Sequence, residues 1–376
     1  MTSQRQALHR LGGYAAVCVL ILLVPLFVSD GYLLNKFARY LVFGILSLAL
    51  SLSWGYAGIL NLGQAAGFGL GSYCMAMALK LRTIPIQTGA GGLPDFMVWN
   101  NVHTLPWFWQ PFHSYAFALL AGIGVPVLVA FLIGWFVFRA RVSGVYVAII
   151  TLAMLVVINL VIIDQQRYTG GFNGITDLTT FKVFGVEFGA YSVSTYYLAA
   201  VILTLLLFLG LALMNSKTGL ILQAIRDDET RVRYFGYDVA NYQNFIFCVS
   251  AGVAGLAGML YTLVMEFASP TFLAVPISLS IVIWCAVGGR ASLLGAALGA
   301  IVVTGVQGSL SDSKTFLDTW MLIMGALFIV VVLFLPNGLI SIVDVIRDKR
   351  ERRRLAAAAG APRRTAVVAP SRSAAR

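Results

Sequence analysis

Residues 144–163 read Gly144-Val145-Tyr146-Val147-Ala148-Ile149-Ile150-Thr151-Leu152-Ala153-Met154-Leu155-Val156-Val157-Ile158-Asn159-Leu160-Val161-Ile162-Ile163, without one charged side chain. A helix needs about 20 mostly apolar residues to cross the hydrocarbon of a bilayer, and this run has that length. It does not alternate apolar with polar residues as a barrel strand would. Thr151 and Asn159 are its neutral polar members. Inside a membrane such groups either line a path or bond to a neighbouring helix, and both readings stand.

The rest of the chain repeats the pattern. Of 376 residues 59% are hydrophobic and 11% charged, and the mean hydropathy is +0.87, whereas soluble domains carry roughly 25% charged residues. A water-exposed globule is excluded. Apolar runs fall at 11–28, 37–53, 58–79, 115–138, 144–163, 195–214, 242–265, 272–287, 291–309 and 319–335. The expected fold is therefore an all-α integral membrane protein of about ten spans with broken or re-entrant segments. The split between 272–287 and 291–309 is a weak one, because Val287-Gly288-Gly289-Arg290 also suits a kink within one irregular span. The first run follows a basic segment but lacks a small-residue cleavage site, so it reads as a retained helix.

Lysine and arginine favour cytoplasmic loops. With both termini inside, Arg5, Arg10, Arg139, Arg141, Lys217, Arg226, Arg231, Arg233 and Arg290 are cytoplasmic, against Lys36, Arg39, Lys80, Arg82, Arg167, Lys182 and Lys314 outside. That balance is nearly even, and the basic tail tips it. The expected organisation is a cytoplasmic segment at 1–10, a membrane domain at 11–346 and a basic, disordered cytoplasmic tail at 347–376. Much of the net charge of +11 lies in that tail, where anionic lipid headgroups rather than nucleic acid are the natural partner.

Cys18, Cys74, Cys248 and Cys285 sit in apolar runs without metal or disulfide spacing, and His9, His103 and His113 form no ligand cluster. No metal site and no catalytic residue is expected. Gly210-Leu211-Ala212-Leu213-Met214-Asn215-Ser216-Lys217-Thr218 is no phosphate loop, since Ser216 separates the lysine from its place and a membrane helix precedes it. Carboxylates lie at span ends or in loops, so ion coupling has no evident carrier.

Three segments carry candidate mechanism. The first is Trp54-Gly55-Tyr56-Ala57-Gly58-Ile59-Leu60-Asn61-Leu62-Gly63-Gln64, whose glycines and neutral polar groups weaken helix between two apolar runs. Asn61 and Gln64, three apart, share a helical face; they either meet a small polar solute or hold the bundle together. Gly63, Gly67 and Gly71, then Gly252, Gly255 and Gly258, then Gly295 and Gly299, make stripes that let helices approach closely. The second is residues 215–240, mixed in charge, with Leu222, Ile225, Val232 and Phe235 as apolar anchors among Arg226, Asp227, Asp228, Glu229 and Arg231. An amphipathic element of this kind suits a groove on a cytoplasmic partner; its acids argue against an anionic lipid surface. The third is the outer loop with Trp99, Trp107 and Trp109, suited to the headgroup boundary or to an extracytoplasmic partner.

These segments, with Leu93-Pro94-Asp95-Phe96-Met97-Val98, Leu105-Pro106-Trp107-Phe108-Trp109-Gln110-Pro111-Phe112, Gly170-Gly171-Phe172-Asn173-Gly174 and Ile281-Val282-Ile283-Trp284-Cys285-Ala286-Val287-Gly288-Gly289-Arg290, resemble the LivM branch of the branched-chain amino-acid-type ABC importer permeases. Within that branch the aromatic outer loop and the glycine motif look more like its urea-transport (UrtC-type) subunits. The resemblance implies a permease rather than an enzyme, paired with a homologous permease subunit. It also implies two cytoplasmic ATPase subunits that bind ATP and Mg, an extracytoplasmic solute-binding protein, and a place in the inner membrane. It assigns Arg226, Asp227, Asp228, Glu229 and Arg231 to ATPase coupling. Relatives tend to carry an acid where this chain has Ser280, and Gly-Thr where it has Ala291-Ser292.

For a small planar solute such as urea, Asn61, Gln64, Ser278 and Ser280 are the expected polar contacts, and Trp54 and Trp284 the flat walls. The same machine importing small amino acids is the nearest alternative. A passive channel or an ion-coupled carrier is the reading from another class.

Overall fold

The computed structural model describes residues 2–83, 92–183 and 185–311, together with 325, 326, 329 and 338. The run expected at 319–335 falls outside the described residues apart from three positions, and the tail at 347–376 falls outside entirely.

The helices are α1 (Thr2–Phe27), α2 (Gly31–Leu50), α3 (Gln64–Thr83), the short α4 (Asp95–Trp99), α5 (Tyr115–Arg139), α6 (Val145–Asp164) and the short α7 (Gln166–Thr169). After them come α8 (Val193–Asn215), α9 (Lys217–Asp227), α10 (Glu229–Tyr234), α11 (Val239–Met265), α12 (Val275–Gly288) and α13 (Leu293–Ser311). A hairpin of β1 (Phe181–Val183) and β2 (Val186–Phe188) lies between α7 and α8, in register with Phe181 opposite Phe188.

Five helices are long and apolar enough to cross a membrane among the described residues, or six if the bent pair of α12 and α13 is one span. This is fewer than the ten apolar runs. Part of the difference has a physical cause: α3 carries Gly67, Gly69, Gly71, Ser72, Lys80 and Arg82 and is wrapped by α5 and α11. A helix surrounded by protein needs small residues rather than a lipid-facing surface.

Burial separates centre from rim. In the most apolar window 78% of residues are buried in α2 and in α11, against 22% in α5, 28% in α6 and 33% in α8. The rim helices are thus apolar all round, with Leu120, Phe136, Ile149 and Leu205 facing outward. The glycine stripes let the central helices meet. A Cβ on Gly258 would overlap the Phe68 carbonyl, and one on Gly71 would overlap the backbone of Gly255.

Helix α2 starts at Gly31, where Asp30 caps it by accepting from the Tyr32 amide at 3.0 Å. It therefore begins earlier than the run at 37–53 suggested, and Arg39 lies inside it. Beyond Leu50 it continues as a π-helical turn, Ser51–Gly55, before the chain leaves helix until Gln64. Helices α12 and α13 are bent by 117° about Gly289 and Arg290, the geometry of a broken span or a re-entrant loop. Gly289 has φ 110°, a conformation that glycine reaches without strain.

At the end of the bundle where α3 finishes and α5 begins, Lys80 is buried. Its Nζ donates to the Thr176 carbonyl at 2.9 Å and pairs with Asp95 at 3.0 Å. Ile175 forms a bridge with Ala268, and Trp109 donates its indole N–H to the Tyr168 carbonyl at 3.0 Å. The opposite end gathers α9, α10, the start of α11 and the break between α12 and α13.

Candidate functional site

The unwound stretch between α2 and α3 is held by side chains. Asn61 donates to Gln64 Oε1 at 2.7 Å and accepts from the Gly63 amide at 2.9 Å. It sits just ahead of α3 rather than on its face, so the pair works as a lock on the helix start. Gln64 donates to the Ser250 carbonyl at 3.1 Å, and the Ser250 hydroxyl donates to the Ala49 carbonyl at 2.6 Å. Thr151 accepts from the Leu62 amide at 3.1 Å, and Ser278 donates to the Leu62 carbonyl. Every buried backbone group freed by a break needs such a partner in lipid. A cavity of about 30 Å³ remains beside Asn61, Gln64, Thr151 and Pro126, room for about one water.

The other expected wall and path residues lie elsewhere. Trp284 is buried and packs against Phe43 at 4.7 Å between ring centres. Ser280, one turn away, donates to its own helix at the Pro276 carbonyl, 2.8 Å. Trp54 lies under the Arg290 guanidinium, 5.5 Å from the ring centre. The six expected path residues thus divide among a lock, an aromatic wall and a junction at the Arg226 end.

That junction centres on Gly55. Arg226 Nη1 donates to the Gly55 carbonyl at 2.8 Å, and Ser51 donates to the Arg290 carbonyl at 2.9 Å. A Cβ on Gly55 would overlap that same Arg290 carbonyl. Three elements therefore meet at one glycine: the π-turn of α2, the break between α12 and α13, and α9. A charge-assisted hydrogen bond of the Arg226 kind is worth roughly 1.5–3 kcal/mol.

Residues 215–240 fold as two short helices because two caps interrupt them. Ser216 accepts from the Gly219 amide to start α9, and Asp228 accepts from the Arg231 amide at 3.1 Å to start α10. Glu229 in the first turn of α10 and Arg231 and Arg233 in its last complement the helix dipole. Four of the five coupling candidates pair with one another, Arg226 with Asp227 at 2.9 Å and Arg231 with Asp228 at 2.7 Å, while Glu229 pairs with Arg233 outside the set. Beneath Asp227, Asp228 and Glu229 lies a polar cavity of about 180 Å³, bounded by Gly58, Ser143, Gly144 and Gln243.

The expected apolar anchors do not all face outward. Ile225 and Val232 are buried together with Val239 of this chain's own α11, Leu222 is buried in the main core, and only Phe235 is exposed. What α9 and α10 present to the outside is Leu220, Arg231, Tyr234 and Phe235. Sequence periodicity shows which side of a helix is apolar but not which neighbour covers it.

Ser250, Tyr261 and Phe43 escaped the sequence reading because each sits within an apolar run. Arg39 did give a signal, a lone charge in such a run, which the later helix start concealed. Among the described residues no three His, Cys, Asp or Glu side chains group as a metal site.

The family described as "Branched-chain amino acid transport system / permease component" matches residues 32–332. The high-affinity branched-chain amino acid transport system permease proteins LivM of Salmonella typhimurium and Escherichia coli are each 26% identical over 350 residues, which cover 86% of this chain and 73% of theirs. A probable branched-chain amino acid transport permease protein LivM of Methanocaldococcus jannaschii is 25% identical over 317 residues, 79% of this chain and 89% of that protein. No solved structure matches the chain.

Proposed function

The chain belongs to the branched-chain amino acid transport system permease family, and from that premise we propose that it is half of the solute path of an ATP-driven importer of urea. A homologous permease supplies the other half. Two ATPase subunits, which hold the ATP and Mg, dock at the Arg226 end, and a solute-binding protein docks at the Lys80 end. The Arg226 end and both termini are cytoplasmic in this account, and the membrane is the inner one.

The observation that carries the reading is the bond from Arg226 to Gly55. A docking helix that grips the broken part of a central helix can pass a push from outside the membrane to the bundle. Asp227, Asp228, Glu229 and Arg231 fix the shape of that element through their pairs. Asn61, Gln64 and Ser278 keep the break closed, while Ser280, Trp284 and Trp54 lie on surfaces a solute can reach when the bundle opens. Urea as cargo is supported by the motif Gly170-Gly171-Phe172-Asn173-Gly174 and by the aromatic loop around Trp107. Import of branched-chain amino acids is the second reading, favoured by the names of the relatives.

The test is to purify the chain with whatever subunits accompany it, reconstitute the assembly with its binding protein, and follow labelled urea and labelled leucine. The expected result is vanadate-sensitive, ATP-dependent uptake of urea. ATP-dependent uptake of leucine alone supports the second reading, and vanadate-insensitive uptake without any ATPase rejects both.

A further inference from the structure

We infer that Arg39 is a specificity-determining residue of the solute path, which donates hydrogen bonds to a planar oxygen acceptor as it crosses: the carbonyl of urea or the carboxylate of an amino acid. The inference rests on the importer reading above and goes on to name the chemistry that the path recognises.

Arg39 lies eight residues into α2, about 12 Å from its start at 1.5 Å per residue. Its Nε is buried without a hydrogen-bond partner, and no carboxylate pairs with it among the described residues. An unpaired guanidinium at such depth is costly against lipid tails and is retained where it faces a polar path. Lys80, the buried cation in the last turn of α3, is by contrast satisfied by the Thr176 carbonyl and Asp95.

The neighbours of Arg39 form a flat apolar wall. One turn on in α2 stands Phe43, whose ring is 5.2 Å from Tyr261 and 4.7 Å from Trp284. Tyr261 also meets Phe68 at 5.2 Å and Phe272 at 5.0 Å, and its hydroxyl is within electrostatic reach of Arg39. Helices α2 and α12 run in the same direction, since both end at the Gly55 and Arg290 junction. Ser280 stands one turn before Trp284 in α12, as Arg39 stands one turn before Phe43 in α2. Arg39 and Ser280 supply polar groups, and the rings supply the faces on which a planar solute stacks. A guanidinium offers a two-pronged donor to an sp² oxygen, which suits a urea carbonyl or a carboxylate. Arg39, Phe43, Tyr261 and Ser280 are all half-buried, so the wall is open on one side.

The experiment is uptake kinetics in proteoliposomes holding the complete transporter, for the wild type, Arg39→Met and Arg39→Lys, with urea, thiourea and leucine as solutes. Thiourea keeps the shape and amino groups of urea but replaces its oxygen by sulfur, a weak acceptor. If urea is the source of the oxygen, Arg39→Met raises the KM for urea about tenfold or more and removes the preference for urea over thiourea, the size expected for one lost charge-assisted contact. Arg39→Lys, which keeps the charge but not the fork, gives an intermediate shift. If a carboxylate is the source, the same pattern appears in the KM for leucine. Wild-type KM values and an unchanged urea to thiourea ratio in both variants overturn the role of Arg39 and leave the importer reading standing. A wild-type complex that takes up neither urea nor leucine overturns both.

Discussion

Arg226, on a short helix outside the apolar bundle, donates its Nη1 hydrogen to the carbonyl of Gly55, the last residue of a π-helical turn, at 2.8 Å. The two residues are 171 positions apart in the chain. That carbonyl is free to accept because the helix stops there, and the guanidinium can reach it because Gly58 has no side chain. A Cβ at Gly58 would come 3.0 Å from the Arg226 Cγ. The break in α2 thus serves as a socket for α9, and the cost of unwinding a central helix is offset by a contact that leads out of the membrane.

The surface that α10 presents predicts where a partner binds. Tyr234 and Phe235 are 88% and 80% exposed, more than any buried role allows. Replacing both with alanine is expected to lower ATPase subunit recovery in pull-downs at least about tenfold, as loss of an aromatic anchor does, while leaving the permease's own thermal stability unchanged. Reversing Asp227 and Glu229 to lysine should weaken the same association, since both line the polar face beside it. Recovery equal to wild type in both variants would place the ATPase contact elsewhere.

Close packing makes a sharp prediction about glycines. Gly55→Ala and Gly258→Ala put a Cβ into the carbonyls of Arg290 and Phe68, where backbone rather than a flexible side chain must move. Overpacking of this kind costs ~1–3 kcal/mol. Gly124, by contrast, has nothing within 4 Å of its added Cβ, and alanine there gains helix propensity of up to about 1 kcal/mol. Thermal denaturation in detergent should show lower midpoints for the first two variants and an equal or higher one for Gly124→Ala.

Sidedness can be read with cysteine. Trp107, 81% exposed, lies at the Lys80 end, and Tyr234 lies at the Arg226 end. In intact cells a membrane-impermeant maleimide should label Trp107→Cys and spare Tyr234→Cys until the membrane is permeabilised. The reverse pattern would invert the proposed topology.

Much of this was legible in the sequence. The runs at 115–138, 144–163 and 195–214 agree with α5, α6 and α8 to within a few residues, because rim helices are selected by lipid and lipid demands an unbroken apolar run. The glycine-rich stretch after Trp54 is unwound, as its composition implied. Central helices were read less well. The start of α2 was hidden because residues 31–36 mix Tyr, Asn and Lys with leucine, and those polar groups are satisfied by distant partners: Asn35 donates to the carbonyls of Ala190 and Val264 at 2.6 and 2.8 Å. Likewise, the inward turn of Ile225 and Val232 depends on where α11 lies. The roles of Asn61, Gln64 and Ser278 as a lock rest on Ser250 and Leu62, which no spacing rule connects to them.

The central claim is that a push on α9 reaches the bundle through Arg226, and the number of solute molecules moved per ATP hydrolysed tests it most directly. In proteoliposomes with the complete transporter, Arg226→Ala is expected to assemble and to hydrolyse ATP while the ratio of urea moved to ATP spent falls at least about tenfold, the scale of one lost charge-assisted hydrogen bond. A ratio equal to that of the wild type would show that the bond between Arg226 and Gly55 carries no coupling.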